Sequence, residues 1–286
     1  MKTSLSHLPE NKQHEIHRIV EIIREVVNPE MIILFGSYAK GTYVENRYHS
    51  KDGTINEYIS DYDFLVVTKG NPEKTYVQES TILDRVDRFK PPVNLEIHEI
   101  DYINEGLGWG QYFFADIVKE GILLFYSSKV TFLEPRILTP SEEKRIAEQY
   151  FEKWFNRGKS FLNGIDGYFS KREFNVSAFI LHQVTESFFY TVLLVFTGYK
   201  PKTHNLGKLK KQMKNISEEL FLVFPENTKQ EKHLFDLLKR GYVDARYKDN
   251  YVISENEVTA LIERIHILRS LVENLCHKKI DSYRIN

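Results

Sequence analysis

One cysteine, Cys276, is all that the 286 residues contain. No intramolecular disulfide is possible and no cysteine-based zinc cluster can form. Long apolar runs are missing as well. None approaches the roughly 20 residues that a membrane helix needs, and no secretory pattern opens the sequence. The expectation is a cytoplasmic protein with no membrane partner. Repeats of solenoid period and low-complexity tracts are absent, which excludes repeat architectures. The chain also lacks a dominant charge: 39 Lys and Arg face 40 Asp and Glu, for a net −1. Hydrophobic residues make up 42%, enough for a packed core and too many for a disordered chain.

The near-zero balance hides two unlike halves. Residues 1–140 hold 15 basic and 21 acidic side chains, a net of −6, and residues 141–286 hold 24 and 19, a net of +5. Two domains are expected. The basic half either attracts a nucleotide or RNA, with Lys200 to Lys214 as the RNA surface, or docks on the acidic half.

The first half is organised around Met31 to Val67. An apolar run, Met31-Ile32-Ile33-Leu34-Phe35, ends in Gly36-Ser37. A second, Phe64-Leu65-Val66-Val67, begins with Asp61-Tyr62-Asp63. Both runs are too short for helices and read as buried strands. Residues two apart in a strand share a face, so Asp61 and Asp63 bring two carboxylates together. A divalent cation relieves their repulsion, and hard oxygen donors suit Mg²⁺. Gly36 permits close backbone approach, and the Ser37 hydroxyl adds a donor for a phosphate group.

Around these strands the pattern predicts a helix from His7 to Val27, a short helix over residues 38–42, and an amphipathic helix from Thr75 to Phe89. Residues 43–59 read as a hairpin insertion turning at Asp52-Gly53, either a flap over a nucleotide cleft or a solvated hairpin. Val93 to Ile100 alternates as a third strand, with Asn94, Glu96 and His98 on its polar face. Glu96 is the candidate third carboxylate, with Glu99 or no carboxylate as alternatives. Two helices, Tyr102 to Leu107 and Phe113 to Glu120, precede a last strand, Ile122 to Tyr126. Residues 128–140, with Pro135 and Pro140, read as a linker.

Gly36-Ser37 followed by Asp61-x-Asp63 resembles the DNA polymerase β-like nucleotidyltransferases, including the kanamycin and minimal types. The resemblance covers roughly residues 1–127. It implies a small mixed sheet flanked by helices, with Gly36 and Ser37 holding the triphosphate and Lys40 reaching a phosphate. It also implies that Asp61, Asp63 and Glu96 bind Mg²⁺. The reaction implied is transfer of a nucleoside monophosphate, taken as AMP from ATP, to a hydroxyl of a small molecule or a protein. The alternative is a catalytically silent nucleotide-binding protein of toxin–antitoxin type.

After Pro140 only helical patterns follow, near 141–169, 173–198, 204–222, 227–243 and 255–278, with Ser141 as the first N-cap. The whole chain is therefore α+β, with an all-α second half over 141–286. His182 and Glu186 lie four apart on a helix and can pair. His204 follows a Pro loop and caps a helix. Arg246 and Tyr247 follow a helix end, where they can meet an anion or a carboxylate. Together His182-Gln183-x-x-Glu186, His204-Asn205-Leu206 and Asp244-Ala245-Arg246-Tyr247 resemble the HEPN domain. That resemblance implies a homodimer through the helical half. RNase HEPN domains carry Arg, four to six residues, then His; no His follows Arg246 in reach, and Arg269 to His277 is one residue too long. RNase activity is not expected. Tyr247 and Tyr251 are candidate protein acceptors for a nucleotide.

Overall fold

The computed structural model describes residues 1–49, 55–71 and 73–283. The chain divides into two compact units, Met1–Ile137 and Leu138–Asn286.

The first unit begins with α1 (Glu10–Val27), whose apolar stripe at Ile16, Ile19, Val20 and Ile23 is buried. Then come β1 (Met31–Phe35) and α2 (Gly36–Lys40). The hairpin strands β2 (Glu45–His49) and β3 (Ile55–Ile59) pair antiparallel, Glu45 opposite Ile59. The Asp52-Gly53 turn expected between them lies outside the described residues. β4 (Tyr62–Thr68), α3 (Thr75–Val86) and β5 (Val93–Glu99) form a parallel crossover unit. α4 (Ile100–Gly108), α5 (Tyr112–Glu120) and β6 (Ile122–Tyr126) complete the unit.

The main sheet runs β5-β4-β1-β6, with only β4 and β5 parallel. This is the small mixed sheet with flanking helices that the resemblance of the first half implies. Its two faces follow from register. Ile32, Leu34, Phe64, Val66, Leu95 and Ile97 share one face and pack in a core with α1 and α3. The opposite face carries the row Phe35–Asp63–Asn94, then Ile33–Leu65–Glu96, then Met31–Val67–His98. The chemistry is therefore collected on one face of three adjacent strands.

Residues 128–137 do not behave as a free linker. Leu133 N–H donates to Asn104 Oδ1 at 2.8 Å and Arg136 N–H to the Leu107 carbonyl at 3.0 Å, which ties the segment to α4.

The second unit is all helical among its described residues. It comprises α6 (Pro140–Asn163), α7 (Ile165–Phe169), α8 (Phe174–Thr197), α9 (Leu206–Lys214), α10 (Glu218–Leu222), α11 (Lys229–Arg240), α12 (Asp244–Tyr247) and α13 (Glu255–Asp281). α8 is the hub: α6 and α13 pack along it, and Gly158 of α6 lets the Phe188 ring approach so closely that a Cβ would lie 2.6 Å away. By length and composition α8 is apolar enough to cross a membrane, which the sequence reading overlooked, yet 78% of its most apolar window is buried inside the unit. Its apolar surface is consumed by packing. The first N-cap is Thr139, not Ser141: Thr139 and Glu142 form a reciprocal capping box, and Pro140 sits in the first turn.

Candidate functional site

In the first unit, β1 and β4 bring Gly36 and Asp63 into direct contact. Phe35 is opposite Asp63 in the antiparallel register, so the residue after Phe35 turns over the Asp63 carboxylate. A Cβ on Gly36 would lie 2.2 Å from Asp63 Oδ2, and Gly36 has φ +72°. Two independent constraints, space and backbone conformation, thus require glycine here. Ser37 follows in the first turn of α2, half-buried.

Asp63 is 5% exposed. Burial pushes its carboxyl up to about 7; the Asn94 amide works against this, and the charges of Asp61 and Glu96 add to it. Asn94 Nδ2 donates to Asp63 Oδ1 at 3.0 Å. Asp61, just before β4, and Glu96 on β5 thus both act on the Asp63 carboxyl through their charge.

The rest of the expected set is arranged differently. Glu96 Oε2 lies 3.1 Å from His98 Nε2, and the His98 ring stacks on Tyr102 at 5.1 Å between centroids. Glu99 accepts from the backbone N–H groups of Gly70 and Asn71 at 2.8 and 2.9 Å, so it serves a loop and not the site. Lys40 is engaged by Glu120 at 2.7 Å. Among the described residues, no three His, Cys, Asp or Glu side chains are grouped to hold a metal ion. The three-carboxylate cage expected of Asp61, Asp63 and Glu96 is not assembled, because Glu96 is turned along β5 to His98. The donor set that remains, two carboxylates of hard oxygen beside a glycine turn, fits Mg²⁺ that arrives with phosphate oxygens of its own.

A polar network anchors this region. Tyr38 Oη donates to Glu45 at 2.7 Å, Lys12 reaches Glu45 at 2.5 Å, and Tyr62 Oη donates to Glu15 at 2.7 Å. It joins α1, α2, β4 and the first residue of the hairpin. Sequence periodicity missed it, since Lys12 is 8% exposed on a helix face that reads as polar.

In the second unit, a cluster gathers on α8. His182 Nδ1 donates to the Leu238 carbonyl oxygen at 3.0 Å, and its buried Nε2 lies 3.8 Å from Glu186 Oε2. Burial pushes His182 down in pKa, against the Leu238 carbonyl and the Glu186 charge. Glu186 also accepts from His204 Nδ1 at 3.0 Å. His204 does not cap α9; the Asn205 side chain does, accepting from Gly207 and Lys208 N–H. The rings of His182 and His204 both stack on Tyr242, at 5.1 and 4.6 Å. The Arg246 guanidinium carbon lies 4.7 Å from the Phe179 ring, 4.8 Å from Tyr242 and 4.9 Å from Tyr247. Arg246 and Tyr247 stand on α12, a helix too short for periodicity to reveal.

The HEPN domain family model matches residues 151–275. This part of the chain is a HEPN domain. The match spans less than half of the chain, and no curated protein matches the sequence. Within the HEPN domain, the three segments singled out in sequence meet: His182 and Glu186 from α8, His204 before α9, and Arg246 over Tyr242. Tyr242 is the residue that sequence reasoning missed; its place between the imidazoles and the guanidinium carries no local signal. Of the two candidate acceptor tyrosines, Tyr247 is 73% exposed, whereas Tyr251 is 1% exposed and donates its hydroxyl to the Leu237 carbonyl. Tyr251 is a core residue of the HEPN domain and offers no hydroxyl for modification. The basic stretch from Lys200 to Lys214 is also partly spent: Lys210 is buried, 2.7 Å from Glu226.

Proposed function

We propose that the first unit is a nucleotide site that transfers a nucleoside monophosphate from a triphosphate to a hydroxyl acceptor. One observation carries the reading: Gly36, in a left-handed turn directly after a strand, lies against the buried Asp63 carboxylate with no room for a Cβ. A backbone that close to a carboxylate would bring a bound phosphate chain beside it, with a divalent cation needed to offset their repulsion. Gly36 and Ser37 would bind the β and γ phosphates, and Asp61 and Asp63 would hold Mg²⁺. The ion supplies neutralisation of the phosphate oxygens and of the departing pyrophosphate. The chain's own residues orient the triphosphate so that the acceptor oxygen meets the α phosphorus. The new bond joins that oxygen to phosphorus, the bond to the β-phosphate oxygen breaks, and the hydroxyl proton passes to solvent. If the acceptor lies on this protein, Tyr247 is the accessible candidate of the two tyrosines considered.

A second reading has its own support. Asn94 stands opposite Asp63 and Glu96 pairs with His98, which favours nucleotide binding without turnover, as in a regulatory or toxin–antitoxin protein with a HEPN domain. ATP labelled at the α phosphate separates the two. Transfer predicts pyrophosphate release and labelled acceptor with wild type, both lost in Asp61→Asn/Asp63→Asn. Saturable ATP binding with no pyrophosphate against a panel of hydroxylated acceptors selects the silent reading. Unchanged ATP binding in the double variant rejects both.

A further inference from the structure

We infer that Asn94 sets how a divalent cation reaches this site: the pocket takes the ion only as its chelate with a nucleotide and does not retain the free ion. The inference rests on the nucleotide-site reading above. Position 94 lies directly opposite Asp63 in the parallel register of β4 and β5. A carboxylate there would complete a three-carboxylate shell. Asn94 instead turns an N–H donor to Asp63 Oδ1 at 3.0 Å, and an N–H group repels a cation. The two acidic residues further along β5 each have another partner. Glu96 meets His98, and Glu99 caps the Gly70–Asn71 backbone. The donor from Asn94 also steadies the buried Asp63 charge. Its second oxygen faces Gly36, where any side chain at position 36 would collide with it. Asn94 is thus a positioning residue. Two carboxylates without a cage bind Mg²⁺-type ions weakly unless phosphate oxygens fill the remaining positions, and affinity grows with the charge of the ligand set.

The test uses the full chain and Mn²⁺ as the probe, followed by its paramagnetic resonance signal and by the shift in melting temperature. MnCl₂ alone and ATP·Mn²⁺ are titrated into wild type, Asn94→Asp, Asn94→Ala and Asp63→Asn. Wild type is expected to bind the chelate and to leave free Mn²⁺ unbound at millimolar concentration. Asn94→Asp is expected to melt lower without metal, to gain at least about tenfold in affinity for free Mn²⁺, and to melt higher when it is added. Asn94→Ala is expected to lose about 10- to 100-fold in chelate affinity, as orienting partners of metal-binding carboxylates do. Free Mn²⁺ bound by wild type as tightly as by Asn94→Asp overturns the inference while the site reading stands. So does an Asn94→Asp variant that takes the chelate but gains nothing for the free ion. If Asn94→Asp does not fold, Asn94→Ala with wild-type chelate affinity overturns it equally. Chelate binding absent from wild type, or unchanged in Asp63→Asn, rejects the site reading and the inference together.

Discussion

Gly36 is where a single atom decides most. Replacing it with alanine places a methyl group 2.2 Å from Asp63 Oδ2 at a backbone φ of +72°. The left-handed conformation costs about 1–2 kcal/mol, and displacing a buried carboxylate adds to it. Gly36→Ala is expected to lower the denaturation midpoint and to abolish nucleotide binding. A variant that binds ATP like wild type would show that the turn does not cradle phosphate. Cys276 is the opposite case, a residue with no role in the chemistry. It is fully buried on α13, and burial pushes its thiol up to about 12. It should resist a thiol reagent in the native state and react stoichiometrically in denaturant. Legibility at this scale follows the range of the interactions. Gly36, Ser37, Asp61 and Asp63 announce themselves because each sits at the end of an apolar run. Asn94 does not, because its partner is set by the register of a parallel pair joined through α3. Glu96 was visible as a carboxylate on the right face, but alternation cannot tell that His98, two residues along the same face, takes its oxygen.

Elements are held by polar groups that periodicity overlooks. The Lys12–Glu45–Tyr38 network fastens the base of the β2–β3 hairpin to α1. Burial pushes the Glu45 carboxyl up, but hydrogen bonds from Lys12 and Tyr38 outweigh it and hold the group below the ordinary carboxylate range. Its stabilising contribution is therefore present above the unfolded carboxylate value and fades as pH falls through the lower folded one. Glu45→Gln should lower stability at neutral pH by up to about 1 kcal/mol, since the pair is partly exposed. The difference from wild type should vanish in acid, read as denaturant midpoint against pH. A gap that is constant with pH would mean that the charge on Glu45 is not what matters. In α6, Gly158→Ala would press a methyl group into the Phe188 ring at 2.6 Å, an overpacking expected to cost about 1–3 kcal/mol. Helix positions were legible from 3.6-residue spacing, and their ends were not. Pro140 reads as a breaker in isolation, yet at the first turn of α6 its missing N–H costs nothing, and Thr139 before it makes the cap.

At the scale of the whole molecule, the change in texture near Pro140 falls close to the point after Ile137 where the chain divides into two compact units. The first unit buries its apolar residues between a mixed sheet and α1 and α3; the second buries them around α8. The sequence placed a linker over 128–140, whereas the segment up to Ile137 belongs to the first unit. The reason is physical: the stretch lacks periodicity, but its backbone finds partners on α4, and hydrogen bonds to a loop leave no periodic trace. Each unit has a core of its own, which is the requirement for independent folding. A fragment of residues 138–286 keeps Thr139 and the capping box of α6, and it contains the entire HEPN domain. It should unfold cooperatively with the helical signal expected of α6 to α13. A fragment starting at Ser141 removes the cap and should be less stable by about 0.5–2 kcal/mol. Circular dichroism through a denaturant titration compares them directly. Equal midpoints would show that the cap contributes nothing measurable. Loss of cooperative unfolding in the longer fragment would show that the HEPN domain draws stability from residues before Leu138, contrary to the self-contained core around α8.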